Sequence, residues 1–226
     1  MNRTIRTTLL IALLSAAAAT LPAQNLLLRL GGGLASQGSD ARPVGAFQIG
    51  VGYEYEFDQH WTFAPSLVFY GKGWKEADRL VPVLDDNGQP VLDEEGEPAQ
   101  SIMDRSATAN YLALPLTFNC YLRTGTSGYV VLSAGPYVAC GLSGKLKTRG
   151  DGREPGSRKM YYEDKTFDSP GTRRFDAGIT FGAGYQFRGG ITVGLQGDFS
   201  LTRFADGGGR NRSGLITLAY NFDSLF

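Results

Sequence analysis

The chain has 226 residues, with 22 Lys+Arg against 22 Asp+Glu, 12% aromatic residues and 31 glycines. A formal charge of zero leaves no global field that would draw nucleic acid, and beyond the first two dozen residues no apolar run approaches the ~18 residues of a membrane-spanning helix. The aromatic content and the long alternating runs exclude a disordered chain.

At the N-terminus, Arg3 and Arg6 precede an apolar stretch from Leu9 to Ala19, and Leu21-Pro22-Ala23 precedes Gln24. That stretch is too short to cross a bilayer and has the order of a secretory signal. Residues 1–23 are therefore expected to be a signal peptide, with cleavage after Ala19 as the alternative. Residues 24–226 are expected to form a single domain. Its glycine content and lack of helical periodicity make it all-β.

Eight period-two segments follow in order. The first sets Leu26, Leu28, Leu30 and Leu34 against Arg29, Gly31 and Gly33. The second sets Phe47, Ile49, Val51, Tyr53, Tyr55 and Phe57 against Gln48, Glu54 and Glu56, and the third Trp61, Phe63, Leu67 and Phe69 against Thr62, Ser66, Tyr70 and Lys72. In the fourth, Leu112, Leu114, Leu116, Phe118 and Leu122 oppose Tyr111, Thr117, Asn119 and Tyr121. In the fifth, Val130, Leu132, Val138 and Leu142 oppose Tyr129, Ser133 and Tyr137. The sixth and seventh fold back at Arg188-Gly189-Gly190, with Phe175, Ile179, Phe181, Ile191, Val193, Leu195 and Phe199 on one side and Asp176, Thr180, Gln186, Gln196 and Asp198 on the other. The eighth sets Ile216, Leu218, Tyr220 and Phe222 against Thr217, Ala219 and Asn221.

No Asp, Glu, Lys or Arg falls on the apolar side of any segment, while Arg29, Glu54, Glu56, Lys72, Asp176 and Asp198 fall on the other. Connections alternate: short at 58–60, 123–127 and 188–190, and longer near 36–43, 73–106, 143–174 and 203–212. Tyr55, Phe57, Trp61, Tyr185, Phe187, Tyr220 and Phe222 share the apolar side near the short turns, as an interfacial girdle would. A membrane barrel turns its apolar side to lipid and keeps a polar lumen. The fold expected is thus an all-β, eight-stranded antiparallel up-and-down transmembrane β-barrel.

The segments Tyr111-Leu112-Ala113-Leu114-Pro115-Leu116 and Leu132-Ser133-Ala134-Gly135-Pro136-Tyr137 stand upstream of Phe175-Asp176-Ala177-Gly178, Gly182-Ala183-Gly184-Tyr185 and Tyr220-Asn221-Phe222. In order and spacing these resemble the PorT-like outer-membrane β-barrel family through nearly the whole mature chain. The resemblance implies an eight-stranded barrel in a Gram-negative outer membrane, with no shared catalytic activity and a role in secretion or envelope assembly. Ala113 departs from the polar or acidic residue frequent there, and residues 223–226 extend past the usual Tyr-x-Phe ending. Phe226 keeps the parity of Phe222 and is a candidate terminal aromatic for the barrel-assembly machinery.

Among candidate sites, the lumen charges come first. An eight-stranded barrel is only wide enough for its own side chains, so Arg29 paired with Glu54, Asp176 or Asp198, together with Glu56, reads as a structural plug rather than an ion path. Tyr70, Tyr111, Tyr121, Tyr129 and Tyr137 would help to fill it. The second long loop carries a tandem octapeptide at residues 82–89 and 90–97, in which Asn87-Gly88 signals a two-residue hairpin turn. Its acids do not have the spacing of a twelve-residue calcium loop.

Residues 72–105 hold four bases against nine acids, and residues 145–174 nine bases against five. These two loops are expected to meet as a cap over the mouth, or the basic one to grip lipopolysaccharide phosphates through Lys145, Lys147, Arg149, Arg153 and Arg158. Cys120 and Cys140 are placed about ten residues apart along the wall, roughly 33 Å, too far for a disulfide. The only histidine, His60, sits in a short turn, which leaves no Ser-His or Asp-His pair at the outer rim. The expectation is an outer-membrane barrel, not an enzyme, with no cofactor or metal. Its expected partners are outer-membrane lipid and lipopolysaccharide, the barrel-assembly machinery and an envelope protein, with no nucleic acid. A narrow passive porin and a soluble lipocalin-like binder are the alternatives.

Overall fold

In the computed structural model, strand β1 (Leu26–Gln37) pairs with both β2 (Val44–Tyr53) and β8 (Asn211–Asn221), so the first and last strands close one sheet on itself. Residues 25–38, 41–76, 78–85, 87–125, 128–149, 160–168, 171–205 and 208–222 are described. The expected signal peptide and residues 223–226 lie outside them. The ring continues through β3 (Trp61–Glu76), β4 (Gln100–Thr124), β5 (Gly128–Ser143), β6 (Phe175–Phe187) and β7 (Ile191–Ser200), each antiparallel to its neighbours. Closure removes every unpaired edge from the wall.

Side chains alternate across that wall as the period of two requires. Exposed outside are Leu34, Ile49, Leu114, Val138, Phe181, Leu195 and Ile216; buried inside are Gln48, Glu54, Ser66, Thr117, Asp176, Thr180 and Asp198. A lipocalin-like binder has the opposite polarity. Around the short turns, Tyr55, Phe57, Trp61 and Phe187 are exposed, and ring pairs Tyr53–Tyr55, Phe57–Phe118, Tyr185–Phe187 and Tyr220–Phe222 build the girdle.

The long connections differ from the sequence expectation. Much of 73–106 and 143–174 is strand, because β3 and β4 run on beyond their last lipid-facing residues. Arg79–Pro82 pairs with Gln100–Met103 on one side of β4. On the other side, Lys145–Arg149 pairs with Asp104–Ala107, and Met160–Lys165 pairs with Lys145–Arg149. Above the apolar band Trp74, Ala107 and Leu146 form no more than a small buried apolar cluster, so no run of hydrophobic alternation marks these strands. Cys120 lies opposite Leu132, eight residues before Cys140 rather than ten, and both thiols are free.

Candidate functional site

The lumen is filled by three polar clusters, and the first surrounds Glu54. Its Oε1 accepts hydrogen bonds from Thr62 Oγ1 at 2.6 Å, Asn119 Nδ2 at 2.9 Å and Tyr121 hydroxyl at 2.6 Å, and its Oε2 from Asn221 Nδ2 at 2.7 Å. The donors are inward residues of three strands, Asn119 and Tyr121 sharing β4, so one carboxylate ties β3, β4 and β8 together. Glu56, assigned to the same buried network from sequence, is instead exposed at the short-turn mouth. There it lines an open vestibule of about 280 Å³ with Asp58, Tyr129 and Arg188.

The second cluster lies at mid-height. Arg29 donates to Ser66 Oγ at 3.4 Å and lines a small cavity of about 60 Å³ beside Gln48 and Gln196, whose side-chain amides bond to each other at 3.0 Å. Inward glycines Gly182, Gly184 and Gly194 leave that space. The expected pairing of Arg29 with Glu54, Asp176 or Asp198 does not form: no carboxylate of the described residues comes within ion-pair distance of its guanidinium. Strand stagger sets the heights of facing side chains, and sequence alternation carries no information about it.

The third cluster closes the outer half. Lys72, which sequence reasoning put inside without a partner, places its Nζ 3.6 Å from Asp176 Oδ2, with both side chains 3% exposed. Its ammonium also lies 4.3 Å from the centre of the Tyr70 ring and 4.9 Å from that of Tyr137, a cation–π arrangement. Asp176 further accepts from Ser200, from Thr202 at 2.8 Å and from Asn211 at 3.2 Å. The Tyr70 hydroxyl donates to Asp198 Oδ2 at 2.5 Å, and Ser213 donates to the same oxygen at 3.0 Å. Glu54 and Asp198 are thus met by hydroxyls and amides, which satisfies them without a second desolvated charge, while Asp176 adds the Lys72 ammonium to its hydroxyl and amide donors.

Phe167 and Phe204, from the third and fourth outer connections, pack onto Tyr111 and close the mouth above this cluster. The outer connections are joined around the rim: Ala41–Arg42 pairs with Lys75–Glu76, Thr172 bridges Ala205, and Gly38 N–H donates to Arg210 O. The acidic and basic loops do meet, but through the backbone ladder between 104–107 and 146–149. Ion pairs form within each loop: Lys75–Asp104 at 3.3 Å and Arg79–Glu76 at 3.5 Å in one, Lys145–Glu163 at 2.7 Å and Lys147–Glu163 at 3.6 Å in the other. The cap comes from Phe167 and Phe204, and no residue of 79–104 joins either buried cluster. Of the expected basic grip, Arg153 and Arg158 lie outside the described residues, as does the side chain of Arg149.

The octapeptide repeat has its own geometry. Val83, Val91 and Ala99, spaced by eight, bond in a cycle: Val83 N–H to Ala99 O, Val91 N–H to Val83 O and Ala99 N–H to Val91 O, each 2.8 Å. Each repeat between them turns on an aspartate. Asp85 Oδ1 accepts the N–H groups of Asn87 and Gln89, and Asp93 Oδ1 those of Glu95 and Glu97. Gly88 and Gly96 then take φ of 78° and 83°. The expected two-residue turn would need a positive φ at Asn87 as well, and no described non-glycine residue has one. The aspartate caps favour the longer turn with a glycine bulge.

The family model described as "Outer membrane protein beta-barrel domain" matches residues 23–206. No curated protein matches the chain. Among solved structures, Ail, the attachment invasion locus protein of Yersinia pestis, is similar at 12% identity with a TM-score of 0.36, over 86% of this chain and 95% of that one. The same protein in complex with the heparin analogue sucrose octasulfate gives 12% identity and 0.35 over the same shares. A mutant of Rh. blastica porin gives 11% identity and 0.19, over 86% of this chain and 98% of that one.

Proposed function

The chain belongs to the outer membrane protein beta-barrel domain family, and from that premise we propose that it is a closed membrane anchor presenting a folded β-platform at the outer face. It is an integral protein of the cell outer membrane. In this reading it conducts no solute and catalyses no reaction. Its work is done by the platform, in contact with an envelope or surface partner. A place in secretion or envelope assembly, which the PorT-like resemblance implies, fits the same reading. So does recognition of the last strand by the barrel-assembly machinery.

The observation that carries the proposal is the length of β4. Its 25 residues span the wall and continue as the central strand of the outer sheet formed with Arg79–Pro82, Lys145–Arg149 and Met160–Lys165. A loop joined to the wall by one unbroken strand holds its shape, as a binding surface requires. The narrow-porin alternative is disfavoured by the buried Tyr70, Lys72, Tyr111, Tyr137 and Asp176, which occupy the outer half of the lumen.

Two measurements test it. The folded protein in a planar bilayer is expected to give no steady, large conductance; such a conductance would overturn the closed-anchor reading. Replacing residues 79–103 with a short turn is expected to leave heat-modifiable gel migration intact and to leave the envelope phenotype of the gene deletion unrescued in a complementation test. Full complementation by the shortened protein would remove the platform from the function.

A further inference from the structure

Where β4 and β5 leave the apolar band, the wall carries a notch of about 560 Å³ on its lipid side. The apolar series ends there: Leu112 and Leu114 are exposed below, while Thr108 and Asn110 continue the same outward parity above. A register shift in the β4–β5 ladder pairs Asn110 with Ser143 and Tyr111 with Gly141, which leaves Leu142 as the bulged residue. Bulges re-aim side chains and bend the strand. Here the bend opens the notch, and Leu142, 49% exposed, forms its apolar floor.

Three cations surround the notch at this level: Lys145 on the strand beyond the bulge, Lys165 at the end of the outer edge strand, and Arg174 immediately before β6. They come from three separate elements, and among the described residues Asp168 is the acid that lines the notch with them. Asp168 accepts from Arg174 at 2.9 Å and lies 3.8 Å from Lys165, while Lys145 contacts Glu163 at 2.7 Å. These pairs are exposed, with Lys165 at 81% and Lys145 at 64%, and exposed ion pairs are weak enough to be exchanged for a better anion. Arg174 also donates to Gly141 O at 3.3 Å, which holds its guanidinium beside the bulge. Neutral donors complete the set: Asn110 Nδ2 donates to Ser143 Oγ at 3.1 Å, and both side chains line the notch.

We infer that this notch binds the phosphorylated headgroup of an outer-leaflet glycolipid, with Lys145, Lys165 and Arg174 on the phosphate and Leu142 against the first acyl carbons. The arrangement matches such a ligand twice over. Cations stand at the depth where the lipid's phosphates lie, and an apolar side chain stands one step below, where its chains begin. Guanidinium and ammonium groups are the usual partners of phosphate, the former bidentate. Of the two basic residues expected from sequence to grip lipopolysaccharide whose side chains are described, Lys145 lines the notch and Lys147 does not. Free inorganic phosphate has the same headgroup chemistry, and only a lipid would also use Leu142. The inference rests on the outer-membrane location and not on the platform's role.

The test uses the full chain, folded in detergent and read by native mass spectrometry with three probes: bis-phosphorylated lipid A, phosphatidylcholine and free pyrophosphate. Lipid A is expected to be retained about tenfold better than phosphatidylcholine. The triple substitution Lys145→Gln, Lys165→Gln, Arg174→Gln is expected to lose that preference. Leu142→Ser is expected to weaken lipid A retention only. If the triple variant fails to show heat-modifiable folding, the double variant at the two exposed lysines is expected to lose most of the preference. Equal retention of lipid A and phosphatidylcholine, or lipid A retention unchanged in the folded variants, overturns the site. Pyrophosphate bound as tightly as lipid A overturns its assignment to a lipid. The conductance and complementation assays do not depend on any of these outcomes.

Discussion

Lys72 Nζ on β3 reaches Asp176 Oδ2 on β6 across the lumen at 3.6 Å, and this is the buried ion pair of the barrel's interior among the described residues. Removing one member of such a pair leaves the other desolvated and unmatched, at a cost of about 3–5 kcal/mol. Lys72→Met is expected near the lower end, because Asp176 keeps its bonds from Ser200, Thr202 and Asn211. Asp176→Asn is expected to cost more, since it strands the ammonium among the Tyr70, Tyr111 and Tyr137 rings. The double variant should cost less than the two singles together. Urea titration of the folded gel band in detergent micelles reads all three, and additive effects would deny the coupling.

Asn221 holds the end of the last strand to Glu54 at 2.7 Å, across the seam where the sheet closes. Hydrogen bonds to a charged acceptor are worth about 1.5–3 kcal/mol. Asn221→Ala is expected to lose that much locally, because Glu54 retains Thr62, Asn119 and Tyr121. Faster amide exchange in the last turn of β8 and in Leu26–Leu28, with β4 and β5 unchanged, is the expected pattern. Uniform loss of protection would place the effect in the whole barrel.

The alternation at 175–201 also yields a topographic expectation. Phe181 is 47% exposed on the outer wall and Thr180 is 3% exposed on the inner one. Phe181→Cys should react with a lipid-phase thiol reagent and Thr180→Cys should not, as should Gln196→Cys fail. Phe181→Arg is expected to cost about 2–4 kcal/mol, the penalty for a cation near mid-bilayer. Equal labelling at 180 and 181 would mean that the wall is not closed there.

This contrast between neighbours was legible because a strand sends successive side chains to opposite faces, and lipid and lumen demand opposite polarity. The same rule gave all eight strands and put Lys72, Asp176 and Asp198 inside. It could not say that Lys72 rather than Arg29 meets a carboxylate, since that depends on how far each strand is shifted along the barrel axis. The rule also stops at the bilayer edge. Residues 100–107 and 145–149 bury only a small mixed set, Ser101, Asp104, Ala107 and Leu146, so their pairing left no run of hydrophobic alternation. Arg174 gave a weak signal as a base immediately before Phe175 and Lys165 gave none, and the bulge at Leu142 beside them is a feature of register alone.

Glu163 offers a pH test of the outer sheet. Its carboxyl is held below the ordinary value of 4.5, first by the hydrogen bond from Lys145 and then by the charges of Lys145 and Lys147. A depressed folded-state value means that the unfolded hairpin binds the proton more readily. The carboxylate's contribution is therefore complete above the ordinary value and is lost as pH falls through the depressed one. Protease cleavage between Lys145 and Lys165 is thus expected to be constant from neutral pH down to about 5, then to rise as the carboxyl protonates. Glu163→Gln should show the higher cleavage already at neutral pH and no such rise, so that the two proteins converge at low pH. The barrel band on an unheated gel should be unaffected in both proteins, because its carboxylates lie behind the wall. A rise of the same size in Glu163→Gln would move the titrating group elsewhere, with Asp164 and Asp168 the carboxylates next in line on that segment.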